Sequence, residues 1–210
     1  MRLAARLQAR TLLAACSALC VVSFLTFPFA HAATQSTTIT LDADGVTPAH
    51  VMVSLGDAVR WANEDSRTHR VASPQGFFRT RRINSGETSE RVVAVSAGSF
   101  AYVTTGLARD GEGMIRVPVR IWPGSRSTPT PGAKITIRMA TERRPQRLYD
   151  LQRRLEDGEW FTIARDTSRP KVAFIPRRTG VFWFRARVEL SGGGTSLWSP
   201  PRKKGVAPPP

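Results

Sequence analysis

Beyond residue 33 the apolar residues recur at every second position and almost never at every third or fourth. Period two puts alternate side chains on opposite faces of an extended strand, so the chain must build sheets with one buried face. The runs are short and punctuated by turn residues, as in β-sandwiches. In the first half they fall at 38–41, 51–55, 58–62, 69–72, 90–95, 99–104 and 114–119. Gly45, Gly56-Asp57, Asn84-Ser85-Gly86 and Ala97-Gly98 separate them. A second set falls at 134–139, 149–155, 160–164, 171–175, 181–188 and 196–198, with Asp157-Gly158 as a tight hairpin turn.

Between the two sets, PGSRSTPTPGA is rich in Pro, Ser and Gly and reads as a semi-rigid linker. The expected organisation is therefore an all-β chain of two sandwich domains, 33–121 and 134–200, joined by a linker at 122–133. A basic, Pro-rich tail, 201–210, reads as solvated. Residues 1–32 read as an export signal. Arg2, Arg6 and Arg10 precede an apolar run from Leu12 to Phe29, and Ala30-His31-Ala32 supplies the small-x-small cleavage pattern. An uncleaved anchor and a lipoprotein box ending at Cys16 are the alternatives at this end. Cleavage implies a periplasmic or secreted protein with no membrane span.

Cleavage also removes Cys16 and Cys20, the only cysteines, leaving no disulfide and no thiolate ligand or nucleophile. Of the formal net charge of +15, the three leader arginines account for three, leaving +12. Such a protein is drawn to anionic surfaces, although an arginine-rich solvated face gives the same composition. Aromatics do not interleave regularly with the basic residues, which argues against a nucleic-acid groove. The remaining histidines, His50 and His69, lie in no nucleophile–base or metalloprotease motif, and no paired carboxylates occur. The expectation is a chain that is not an enzyme.

The segment VSLGDAVRWANEDSRTHRVAS, 53–73, resembles the plastocyanin-like cupredoxin pattern: a Gly-Asp turn, Trp-x-Asn-x-Asp, and a histidine soon after. The resemblance extends over about 37–119, and IRVPV matches the family's closing strand. It implies a Greek-key sandwich and a mononuclear copper whose first ligand corresponds to His69. The family's cysteine falls on Thr104, its second histidine on Leu107, and its axial methionine near Gly111 or Glu112, with Met114 beyond that slot. Neither Thr104 nor Leu107 offers the soft ligand on which such a site depends, so the expectation is a scaffold without copper or another cofactor. His50, Met52, Met114, Asp65 and Asp110 are the candidates for any substitute site with His69.

YDLQRRLEDGEWFTIA, 149–164, and VFWFRARVELSGGGTSLWSPP, 181–201, resemble the C–C′ and F–G hairpins of a fibronectin type III module over about 128–203. Phe182 stands where that family's corner tyrosine would be. Within this half Trp183, facing away from Phe182 and Phe184, is expected to stack with Arg153, Arg185 and Arg187 in a cation–π ladder that is the candidate binding surface. The functional expectation is an exported, non-enzymatic envelope protein with a binding or structural role. Its partner would be an envelope protein or an anionic surface polymer. The rivals are a copper-binding electron carrier and an adhesion or polymer-binding protein.

Overall fold

The computed structural model describes residues 34–106 and 111–209. The leader, Leu107 and Asp110 lie outside them. Strands account for the regular structure of these residues, and the chain is all-β.

The first half lays down β1 (Ser36–Asp42), β2 (Gly45–Thr47), β3 (His50–Met52), β4 (Ala58–Asn63), β5 (Arg70–Ala72), β6 (Val92–Val93), β7 (Gly98–Thr105) and β8 (Gly111–Val117). Two four-stranded sheets result, in the orders β2-β1-β4-β6 and β3-β8-β7-β5. The β1–β4 and β3–β8 pairs are parallel, and β7–β8 is antiparallel. The sheets meet through their apolar faces. Trp61 on β4 is fully buried, stacks on Phe78 at 5.7 Å, and meets Tyr102 of β7 edge-on at 5.5 Å. Gly113 of β8 lies directly beneath Tyr102; a Cβ there would overlap both the phenol and the Ala49 carbonyl that the phenol donates to. Burial pushes the Tyr102 hydroxyl up to about 12, only partly offset by the Trp61 indole.

The second half comprises β9 (Arg120–Trp122), β10 (Ile135–Arg138), β11 (Arg147–Leu155), β12 (Phe161–Thr167), β13 (Lys171–Phe174), β14 (Gly180–Leu190) and β15 (Arg202–Val206). Its sheets are ordered β13-β10-β9 and β12-β11-β14-β15. Phe174 joins them, packing on Phe182 at 5.2 Å and Phe184 at 5.4 Å.

Two features depart from the sequence expectation. The run 196–198 is not the last strand: Leu197 instead exchanges backbone hydrogen bonds with Ser99 of the first half, at 3.0 and 3.1 Å. The last strand is β15, in the segment read as a solvated tail. It is held because Lys204 and Val206 turn inward; the Lys204 ammonium, with its pKa lowered by burial, donates to the carbonyls of Gly124 and Ser127. The Pro-rich stretch is thereby tied down at one end of the sheet, and Ala207 N–H adds a bond to Pro129 O at 3.0 Å.

The halves share one continuous apolar core within a single compact unit. Ala97 N–H donates to Met139 O at 2.7 Å and Thr141 N–H to Val95 O at 3.0 Å. The Ser99 hydroxyl donates to Trp198 O at 2.9 Å. Gly98 is needed at this seam, because a Cβ there would come within 2.6 Å of the Ser196 hydroxyl.

Candidate functional site

The Asn/Asp turn between β4 and β5 carries His69 to the end of β7. Asn63 shapes that turn: its amide donates to the carbonyls of Arg67 (2.7 Å) and Ile83 (2.9 Å), and its carbonyl accepts from Asp65 N–H. Pairing of Arg70 with Thr105 and Val71 with Thr104 sets His69 at the same end of the strand pair as Thr104, with Thr105 and Gly106 nearest to it. The ring is fully engaged by other groups. His69 is 1% exposed; its Nδ1 is 3.0 Å from Thr105 O and its Nε2 is 2.9 Å from Asp65 Oδ2. Gly106 folds over the ring with φ +92°, and a Cβ there would sit 3.1 Å from Thr68 O and 3.2 Å from Nδ1.

Both imidazole nitrogens thus face oxygen acceptors. Desolvation alone would raise the Asp65 carboxyl, but the Ser66 N–H and the His69 ring together hold it below its ordinary value. Thr104 offers a hydroxyl, shielded from solvent and without a hydrogen-bond partner among the described residues. A hard hydroxyl and an imidazole bonded at both nitrogens do not fit a copper centre that needs thiolate and a free ring nitrogen.

Of the substitute ligands Asp65 bonds His69, but His50 and Met114 do not join them. His50 is exposed on β3 and pairs with Met114 of β8, while His69 adjoins β5 at the opposite edge of the same sheet. Three strand spacings separate those edges, about 14 Å. Among the described residues no three His, Cys, Asp or Glu side chains cluster as a metal site.

The second candidate is the outward face of the sheet β12-β11-β14-β15. Here the structure builds a longer stack than expected and corrects one member. Lys203 lies 6.0 Å from Trp183, and Trp183 lies 5.6 Å from Arg154. Arg154 reaches Trp160 at 5.0 Å, and Trp160 reaches Arg185 at 4.2 Å. Trp198 then sits between Arg185 and Arg187, 4.8 Å from each. Cations and indoles alternate through seven side chains.

Hydrogen bonds set the angle of the arginines. Gln152 Oε1 accepts from Arg185 Nε and Nη2 at 3.0 and 2.9 Å, and Asp150 Oδ2 accepts from Arg187 Nε at 2.9 Å. Burial, with Arg154 next to it, lowers the pKa of Arg185. Arg153 is not in the stack. It pairs with Phe184 and lies 5.5 Å from the rings of both Phe161 and Phe174, on the other face. The parity was readable: Tyr149 and Leu151 point inward, so Arg153 follows them and Arg154 does not. Trp160 and Trp198 lie outside the regular strands, where period two assigns no face.

No family model and no curated protein matches the chain. Among solved structures it is similar to cupredoxins. A copper(I) amicyanin variant is 17% identical with a TM-score of 0.35, over 39% of this chain and 81% of its own. A purple cupredoxin from Nitrosopumilus maritimus is 20% identical with a TM-score of 0.32, over 39% of this chain and 98% of its own. A copper-containing nitrite reductase from Thermus scotoductus is 14% identical with a TM-score of 0.31, over 84% of this chain and 64% of its own. Likeness of this degree does not carry copper over to this chain.

Proposed function

We propose that the chain is an exported, non-enzymatic protein of the cell envelope, in which a cupredoxin-like half without its copper serves as scaffold for a fibronectin type III-like binding or structural half. The observation that carries this reading is the closure of His69, with Asp65 and Thr105 O on its two nitrogens and Gly106 as roof. Further support comes from Thr104 at the thiolate position and from the adjacency of β12, β11, β14 and β15, the order expected of C′, C, F and G strands. The test is copper loading of the mature chain followed by metal analysis and visible spectroscopy. The expected result is no stoichiometric copper and no intense copper–thiolate band. One tightly held copper per chain that is lost in His69→Ala overturns the reading and favours the electron-carrier alternative.

A second reading, binding to an anionic surface polymer, is favoured by the four cations of the stack and by the +12 charge of the chain without its leader. Retention on a lipopolysaccharide or teichoic acid matrix that falls steeply with added salt supports it, and retention indifferent to salt removes it.

A further inference from the structure

A cleft of about 890 Å³ opens where the two halves meet. None of its lining residues belongs to the His69 corner or to the cation–indole stack, and its volume suits a small-molecule ligand. Three loops build it: 74–76 from the first half, 144–147 leading into β11, and the glycine-rich turn 190–194 after β14.

The loops hold one another in place. Leu190 N–H donates to Gly194 O at 3.0 Å, Gly193 N–H to Leu190 O at 2.9 Å, and Ser191 N–H to Gln146 O at 3.0 Å. Gly194, at φ +95°, lies so close to the Gln75 carbonyl that a Cβ would overlap it. The cleft is therefore formed in advance of any ligand.

Its wall carries Arg147, a cation without a counter-charge among the described residues. Arg147 Nη1 donates to the Ser96 hydroxyl at 2.9 Å, and that hydroxyl meets Tyr149 Oη at 3.3 Å. The guanidinium carbon stands 6.0 Å from the Phe77 ring centroid. Among the described residues no carboxylate pairs with Arg147. Burial holds its pKa below the ordinary value; Tyr149 opposes this and Arg144 adds to it. A guanidinium has five N–H donors in a planar fork, and Ser96 uses one, so the rest can meet an oxyanion. A partly desolvated charge left without such a partner is unfavourable, which makes a bound anion stabilising.

We propose that this cleft binds a small ligand by a carboxylate or phosphate group held by Arg147, while the ligand's apolar body lies against Pro74, Pro145 and Leu190; Arg144, also in the lining, is already paired with Glu142 at 2.7 Å. The proposal is independent of copper: metal uptake leaves it untouched, so the two readings fail separately.

The test is titration of the mature chain at low salt with benzoate and with phenyl phosphate, read by calorimetry. Saturable binding of either is the expected result; benzoate alone assigns a carboxylate, phenyl phosphate alone a phosphate. Arg147→Gln weakens binding about tenfold or more. Gly192→Asp also weakens it by placing a carboxylate on the cleft, at a position where a Cβ meets no atom within 4 Å and no clash opposes the side chain. That variant carries the test if the Arg147 substitution unfolds the chain. Arg178→Gln, exposed beyond the far end of the eleven-residue β14, leaves binding unchanged. Absence of saturable binding overturns the proposal, as does equal weakening by Arg178→Gln, which marks general attraction to a basic surface.

Discussion

The two halves use tryptophan in opposite ways. In the first, Trp61 is wholly internal and packs against the rings of Phe78 and Tyr102. In the second, Trp160, Trp183 and Trp198 lie on the outer face of a sheet, each between cations. An indole inside a core contributes through apolar area removed from water. An indole outside needs something apolar enough to cover its faces yet soluble, and the weakly hydrated guanidinium meets both needs. The halves differ equally in their ionic groups. His69 and Asp65 satisfy each other in a closed corner, whereas among the described residues Arg147 meets a hydroxyl at the seam and no carboxylate.

This contrast can be broken by experiment, beginning where the effect is largest. Trp61→Ala should destabilise the chain by about 3–5 kcal/mol in denaturant unfolding, since the void left in a two-sheet core cannot collapse. Because the core is continuous across the seam, both halves should unfold in one transition; two separated transitions would show that the seam does not couple them.

Gly113→Ala should cost about 1–3 kcal/mol by overpacking Tyr102 against Ala49. A neutral result there would mean that β8 can shift without loss, and that the first half is less closely fitted than its distances imply.

Trp160→Ala removes the indole between Arg154 and Arg185. It should cost about 1–2 kcal/mol, from two exposed cation–π contacts. The value should fall with added salt much less than that of a surface ion pair. If Trp160→Ala proved as costly as Trp61→Ala, the distinction between inner and outer indoles would fail.

The smallest effect belongs to Asp65→Asn and lies in pH dependence. Asp65 titrates below its unfolded value, so its contribution is present above that value and is lost as pH falls through the folded one. The parent should lose its advantage over the variant on acidification below about pH 4. A constant difference across the acid range would remove the His69–Asp65 bond from the account.

Much of the strand pattern was legible because period two is local: β1, β4, β7, β11 and β14 lie where the alternation put them. The end of the chain was not. PPRKKGVAPPP carries the composition of a solvated tail, and nothing in it announces that Lys204 will be buried. Acceptors for that ammonium arrive from Gly124 and Ser127, some eighty positions earlier. Likewise Leu197 was legible as extended, but its partner Ser99 lies in the other half. The stack was half legible. Strand parity separates Arg154 from Arg153, while the places of Trp160 and Trp198 depend on how the chain turns outside the strands.

The sequence by itself determined that the chain is all-β, since alternation dictates one-faced strands. It also determined that Thr104, where the resemblance implies a copper cysteine, offers no thiolate. Only the tertiary structure decided what His69 does. Imidazole chemistry allows a ligand, a base or a buried hydrogen-bonded group, and the choice rests on Thr105 O, thirty-six residues away, and on Gly106 above the ring. The same holds for Arg147, whose partner among the described residues is the Ser96 hydroxyl, supplied across the seam and not by its neighbours in the chain. Periodicity is carried by adjacent residues; the partner of a polar atom is supplied by whatever the fold brings to it.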